Sequence, residues 1–174
     1  MKNAFKTASI FLIALSTFSA CKKKTEPAID FTIDDKNLTG CLQGNCSFEY
    51  TNYAAIADGQ LTLKTGAYRI FSANSVSNFS TTKVSIEAPM EGDKFSLNDA
   101  DIKGGKVKHF FSCASCDYFI LVPVGGTVKG IRVAKNNSMS ERWLLDARIA
   151  VAAEKSTTVV DTIRIKQYFN LAVK

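Results

Sequence analysis

From residue 29 onward, the apolar residues of this chain recur mostly in twos. Ile29, Phe31 and Ile33 alternate with Asp30, Thr32 and Asp34, which predicts a first strand. Residues 47–51 form a second strand candidate behind the turn chemistry of Gly44-Asn45. Residues 61–64 and 68–71 flank Thr65-Gly66, a signal for a hairpin or a bulge. Residues 83–88 alternate strictly and stop at Pro89, and residues 95–97 suit a short strand. Residues 101–106, rich in glycine and charge, read as a loop into a strand over 107–111. Residues 118–124 are almost continuously apolar, as in a strand buried on both faces, and Gly125-Gly126 is expected to turn the chain into 127–134.

The clearest period lies in the last forty residues. Trp143, Leu145, Ala147, Ile149 and Val151 occupy one face of a run broken only by Leu144 and Ala150. Beyond the polar residues 154–157, Ile163, Ile165, Phe169 and Leu171 face one side, with Thr162, Arg164, Lys166 and Asn170 opposite. Two such runs predict a long closing hairpin. A helix competes for the first run, because Ser138 and Glu141 have capping-box spacing and alanines are frequent. On a helical wheel, however, Arg142, Asp146, Arg148 and Glu154 scatter and leave no wide apolar stripe. Eight to ten short strands separated by turns predict a single all-β domain over residues 29–174, an antiparallel β-sandwich or open β-barrel.

The first residues follow another logic. Lys2 and Lys6 precede an apolar run over 8–15, far short of the roughly 20 residues a spanning helix needs, so residues 1–20 read as a signal peptide. The run ends at Phe18-Ser19-Ala20-Cys21, which resembles the lipobox of bacterial lipoproteins, with Phe18 where that pattern more often has Leu. The resemblance implies cleavage before Cys21 and attachment of diacylglycerol and a further acyl chain such as palmitate to that residue. Several chains meet the roughly two membrane signals that stable anchoring needs. Residues 21–28, with three lysines and Pro27, read as a tether. Lipoproteins of enteric bacteria and of the Bacteroidota type use acidic residues after the cysteine as sorting signals. Lys22 to Lys24 stand there instead, which by resemblance implies an outer-membrane anchor with the domain facing the periplasm.

Charge narrows the partners. Without Lys2 and Lys6 the chain keeps 20 Lys and Arg against 16 Asp and Glu, a net of +4. That is mildly basic and lacks the concentrated charge of a nucleic-acid binder. The expected partners are therefore the membrane, through the lipid, and a protein or glycan of the envelope.

Cysteine chemistry offers three readings. Lipidation of Cys21 leaves Cys41, Cys46, Cys113 and Cys116, an even number in an oxidising compartment. Structural disulfides, local or exchanged between the two pairs, are the first reading. Zinc or copper held by the four thiolates, with His109 as a substitute ligand, is the second. Thiol redox catalysis is the third, but an active C-x2-C needs a helix N-terminus, and Cys116 leads into a strand-like run. Haem attachment fails because Asp117 stands where that motif needs His.

The remaining candidates are weak. His109, beside Lys106 and Lys108, reads as a surface residue with no orienting carboxylate in sight. Ser80-x-x-Lys83 and Lys64-Thr65-Gly66 resemble two boxes of penicillin-binding enzymes, but in reversed order and without the third. The acidic clusters at Asp30, Asp34 and Asp35, and around Asp99, lack calcium-loop spacing. Trp143 shares a face with Leu145 and Ile149 and reads as core, whereas Tyr168 falls on a polar face and could stack on a sugar. The expectation is a non-enzymatic lipoprotein with a binding or structural β domain and no cofactor; the alternative is a metal-binding or thiol-based stress protein.

Overall fold

The computed structural model describes residues 30–41, 44–57, 59, 61–114, 120–133 and 141–173. Cys21, Cys116 and the residues read as signal peptide and tether lie outside them. The described residues form β1 (Asn45–Ile56), β2 (Leu63–Thr65), β3 (Tyr68–Val76), β4 (Ser80–Ala88), β5 (Lys94–Leu97), β6 (Val107–Cys113), β7 (Leu121–Val133), β8 (Arg142–Ala153) and β9 (Val159–Leu171). One mixed sheet runs in the order β5-β7-β8-β9-β1-β3-β4-β6 and does not close; β2 pairs with β1. The all-β expectation is met. The antiparallel rule fails at one joint, where β1 and β9 run parallel and pair at Glu49↔Asn170 and Tyr50↔Leu171.

That joint divides the sheet into two halves that fold over one another. Phe71 of β3 sits between them. Its ring lies 5.3 Å from Phe95, 5.6 Å from Trp143 and 5.6 Å from Phe169, spanning β5, β8 and β9. Contacts at these centroid distances stabilise by about 0.5–1.5 kcal/mol each beyond the area they bury. The inward face of β8 supplies Trp143, Leu145, Ala147, Ile149 and Val151, all buried, as its period of two requires. Leu144 breaks the pattern because the outer face is covered there: it lies in register between Ile131 and Tyr168 and is buried as well.

Several local expectations are corrected. Residues 30–35 form no ladder; Phe31 rests against the ammonium groups of Lys94 and Lys129, and its carbonyl accepts from Lys94 Nζ. Residues 101–106 are not a loop. Asn98 and Asp101 form a capping box for a short helix, α1 (Asp99–Asp101), which continues into a wide helical turn that buries Ile102. Gly125-Gly126 does not reverse the chain: β7 runs straight through it with a bulge between Pro123 and Gly125. Gly126 has φ of 123°, and a Cβ there would meet the Arg148 carbonyl at 2.0 Å. Leu121 to Val124 are only half-buried and Ile120 is exposed, since β7 at this level ladders with β8 alone. Leu171, expected on the inner face, is exposed where β9 ends. The Thr65-Gly66 signal marks a bulge: β2 and β3 lie end to end along β1, and Gly66 N–H donates to Tyr53 O.

Phe95 reaches the Phe71 ring by lying across its register partner Gly130 on the neighbouring strand, so β7 can carry no side chain there. A Cβ on Gly130 would lie 2.1 Å from Phe95 Cε1. Gly130→Ala is expected to push Phe95 off the Phe71 ring and lower stability by about 1–3 kcal/mol, the usual cost of overpacking. A drop in the urea midpoint with unchanged slope checks this.

Candidate functional site

Inward positions change character along β3 and β4. On β3 the series is Arg69, Phe71, Ala73, Ser75; on β4 it is Ala88, Ile86, Val84, Thr82, Ser80. The apolar core therefore gives way to small hydroxyl residues before the strands end. Beyond their two pairs β1 and β9 form no ladder, and a cleft of about 430 Å³ opens between the halves. Its floor is Phe48, Ala73, Val84, Ile163 and Ile165, and Ser75, Ser80 and Thr82 line its mouth. An apolar floor with a few polar groups at the rim is the usual make-up of a binding pocket. A wider hollow of about 900 Å³ lies at the opposite end, walled by Glu87, Glu91, Asp93 and Lys94 around Phe95 and Leu97.

The mouth of the cleft carries the predicted cysteines. Cys41 and Cys46 are joined in a disulfide, with Cα atoms 5.8 Å apart, and Cys46 lines the cleft. The local pairing is thus the one present for this loop. Cys113, at the end of β6, is also disulfide-bonded; Cys116 lies outside the described residues. Sulfurs in disulfides are not thiolates, so Cys41, Cys46 and Cys113 offer no zinc ligands in this form. Cys113 is the last residue of a strand, and its sulfur is held in a disulfide where a redox nucleophile needs a free thiolate.

His109 departs from expectation. It is half-buried on β6, and its Nδ1 lies 3.2 Å from Leu121 O. A carbonyl only accepts, so Nδ1 donates. The ring ties β6, one end strand of the open sheet, to β7 in the other half, with which it forms no ladder.

One wall of the cleft comes from the segment before β1. Residues 30–41 start at the far end, where Asp30 and Phe31 hold Lys94, and cross to Thr39 beside β9. Thr39 N–H donates to Lys166 O at 2.7 Å, Lys166 N–H donates to Thr39 Oγ1, and Gln167 Nε2 donates to Thr39 O. Lys166 Nζ reaches Asp34 at 2.7 Å. Tyr168, the sequence's candidate for sugar stacking, is half-buried, with the Arg142 guanidinium 4.0 Å from its ring and its hydroxyl 3.4 Å from Asp35. Trp143 is core, as its face implied.

At the opposite end lies a buried polar cluster that sequence reasoning missed. Arg69 is 5% exposed, stacked 4.4 Å over Trp143; its Nε donates to Asn52 Oδ1 and one Nη to Met90 O. Tyr50 hydroxyl donates to Glu141, which also faces Arg132. Burial pulls the Arg69 guanidinium below its ordinary pKa, opposed by the Glu141 charge, and burial together with Glu141 pushes the Tyr50 hydroxyl up. Among the described residues, Arg69 Nη1 and Trp143 Nε1 have no hydrogen-bond partner. The signal was available: Arg69 shares the inward parity of Phe71.

Comparison with protein-family models, with curated proteins and with solved structures found no match for this chain.

Two predictions concern the cleft wall. Replacing Cys41 and Cys46 by Ser frees a short loop and is expected to lower stability by about 2 kcal/mol, read as a lower denaturation midpoint. The Lys166 hydrogen bond, then the Lys36 N–H, hold the Asp34 carboxyl below its ordinary value of 3.8. A depressed carboxylate stabilises the fold above its unfolded pKa and loses that contribution as pH falls through the folded value. Hydrogen-exchange protection at Thr39 and Lys166 should therefore drop as pH falls below about 4, and Asp34→Asn should abolish that step.

Proposed function

We propose that this chain is a lipid-anchored protein of the bacterial envelope whose all-β domain is a non-enzymatic binding module. The observation that carries the binding assignment is the apolar-floored, hydroxyl-rimmed cleft at the open end of the sheet. The chain's one histidine supports it too, since Nδ1 is committed to a main-chain carbonyl and no carboxylate orients the ring through that atom. The anchor rests on the lipobox resemblance at Cys21, and the lysines after it favour the outer membrane, facing the periplasm.

The position of Asp30 gives the proposal a geometry. Asp30 pairs with Lys94 at the start of β5, the end opposite the cleft. The nine residue steps from Cys21 to Asp30 span at most about 30 Å, so the cleft opens away from the bilayer while the domain stays close to it. The ligand it takes has an apolar part for the floor and a polar part for the hydroxyls, as an envelope protein segment or a glycan does.

Two measurements test the two parts. Radiolabelled palmitate should enter the protein and be lost in Cys21→Ser, which should leave the membrane fraction; unlabelled wild-type protein overturns the anchor. Cyclohexanol, an apolar ring with one hydroxyl, should shift the amide resonances of Ala73, Val84 and Ile163, and Thr82→Trp should weaken it at least tenfold by filling the mouth. Shifts elsewhere only, or none, overturn the cleft.

A further inference from the structure

The cleft is bordered by an unused strand edge. β9 ladders with β8 along its length, whereas β1 takes its other edge only at Asn170 and Leu171. In a strand, the N–H and C=O of one residue point to the same side and those of the next residue to the other. Lys166 aims both groups at Thr39, away from β8. The same parity aims Arg164 and Thr162 outward along the same edge. Thr162 N–H is taken by Asp161 Oδ1; among the described residues the Arg164 main chain has no partner on this side. Val159 and Val160, β-branched and more than half exposed, continue β9 beyond Asp161. Unpaired edges of this kind are normally blunted or covered.

Thr39 already shows what the edge accepts. Its main-chain N–H donates to the Lys166 carbonyl and its hydroxyl accepts the Lys166 N–H, while Asp35 lies by Tyr168, so this stretch runs antiparallel to β9. The Thr39 seat occupies only the lower part of the edge, and the stretch from Arg164 to Val159 continues it. Directly beside that stretch lie Ile163, Ile165, Phe48 and Val84, the apolar floor. A bare main-chain edge next to an apolar pocket is the arrangement by which extended peptides are bound: the backbone supplies hydrogen bonds and every second side chain can enter a pocket.

We propose that the occupant of the cleft is an extended segment of another polypeptide, added as a strand to β9 over Thr162–Arg164, with an apolar side chain on the Phe48–Ile163 floor. This rests on the cleft being the binding face and goes further by naming the class of ligand. The required segment is short, has main-chain N–H groups free on one edge, and alternates apolar with polar residues. Glycans lack that repeat of N–H and C=O groups.

The test uses the protein as purified from expressing cells, untruncated and in lipid nanodiscs. The probe is a capped heptapeptide alternating Thr and Val. It should shift the Thr162 and Arg164 amide resonances and slow hydrogen exchange at Arg164. Methylating alternate backbone nitrogens of the peptide should weaken it at least tenfold. Arg164→Pro removes the outward N–H and leaves the β8 ladder intact, so it should cause a similar loss with the unfolding midpoint little changed. If cyclohexanol binds the floor while the peptide does not, or the methylated peptide binds equally well, the strand proposal falls and the cleft assignment stands. If neither binds, both fall. Protection of Arg164 that grows with protein concentration alone assigns the edge to a second copy and overturns the separate partner.

Discussion

The β1–β9 joint constrains the rest of the structure. Two parallel residue pairs are the whole main-chain ladder between the halves of the sheet, and beyond them the connection is side-chain packing centred on Phe71. Packing of this kind is strong where large rings meet and vanishes where residues shrink. Towards the Arg69 end the halves are locked by Tyr50, Phe95, Trp143 and Phe169. Towards the other end Ala73, Ser75 and Thr82 leave space, nothing ladders β1 to β9, and the halves part. The cleft is thus the direct consequence of a short joint followed by small side chains.

The strands were legible because their periodicity is a local property. The closing hairpin followed from alternation alone, and β4 ended at Pro89 as the missing N–H requires. What escaped was set by distant neighbours. Leu144 looks like an error in the alternation until Tyr168 and Ile131 are placed beside it. Gly125-Gly126 reads as a turn in isolation, yet Gly126 is there because Arg148 O crowds its α-carbon and Asp99 takes its N–H. Ile29, Phe31 and Ile33 alternate like a strand, but Phe31 is held by two lysines from β5 and β7. The cleft itself could not be read: it depends on which strands are neighbours, and periodicity carries no strand order.

Arg69 illustrates a second limit. Inward parity marked it as anomalous, but the reason a cation is tolerated there lies in residues scattered over the chain: Trp143 beneath its plane, Asn52 and Met90 at its nitrogens, Glu141 and Asp93 nearby. Stacking on an indole and charge-assisted bonds together offset part of the desolvation cost. The cluster closes the end where Asp30 and Phe31 meet Lys94, and so fixes which end of the sandwich can open.

The cleft also owns the weakest wall of the domain. Thr39 and Gly40 line it, yet residues 30–41 are held by ion pairs of the exposed Asp30 and Asp34 with Lys94 and Lys166, two ammonium groups resting on Phe31, and hydrogen bonds at Phe31, Asp35 and Thr39. Exposed pairs of that sort contribute little each. Local opening follows the weakest cooperative unit, so this segment is expected to open ahead of the ladders it crosses. The disulfide between Cys41 and Cys46 sits where that opening would otherwise spread into β1. It clamps the point at which a loosely held segment becomes a fully laddered strand, so the segment can lift from the edge of β9 while the floor of the cleft keeps its shape.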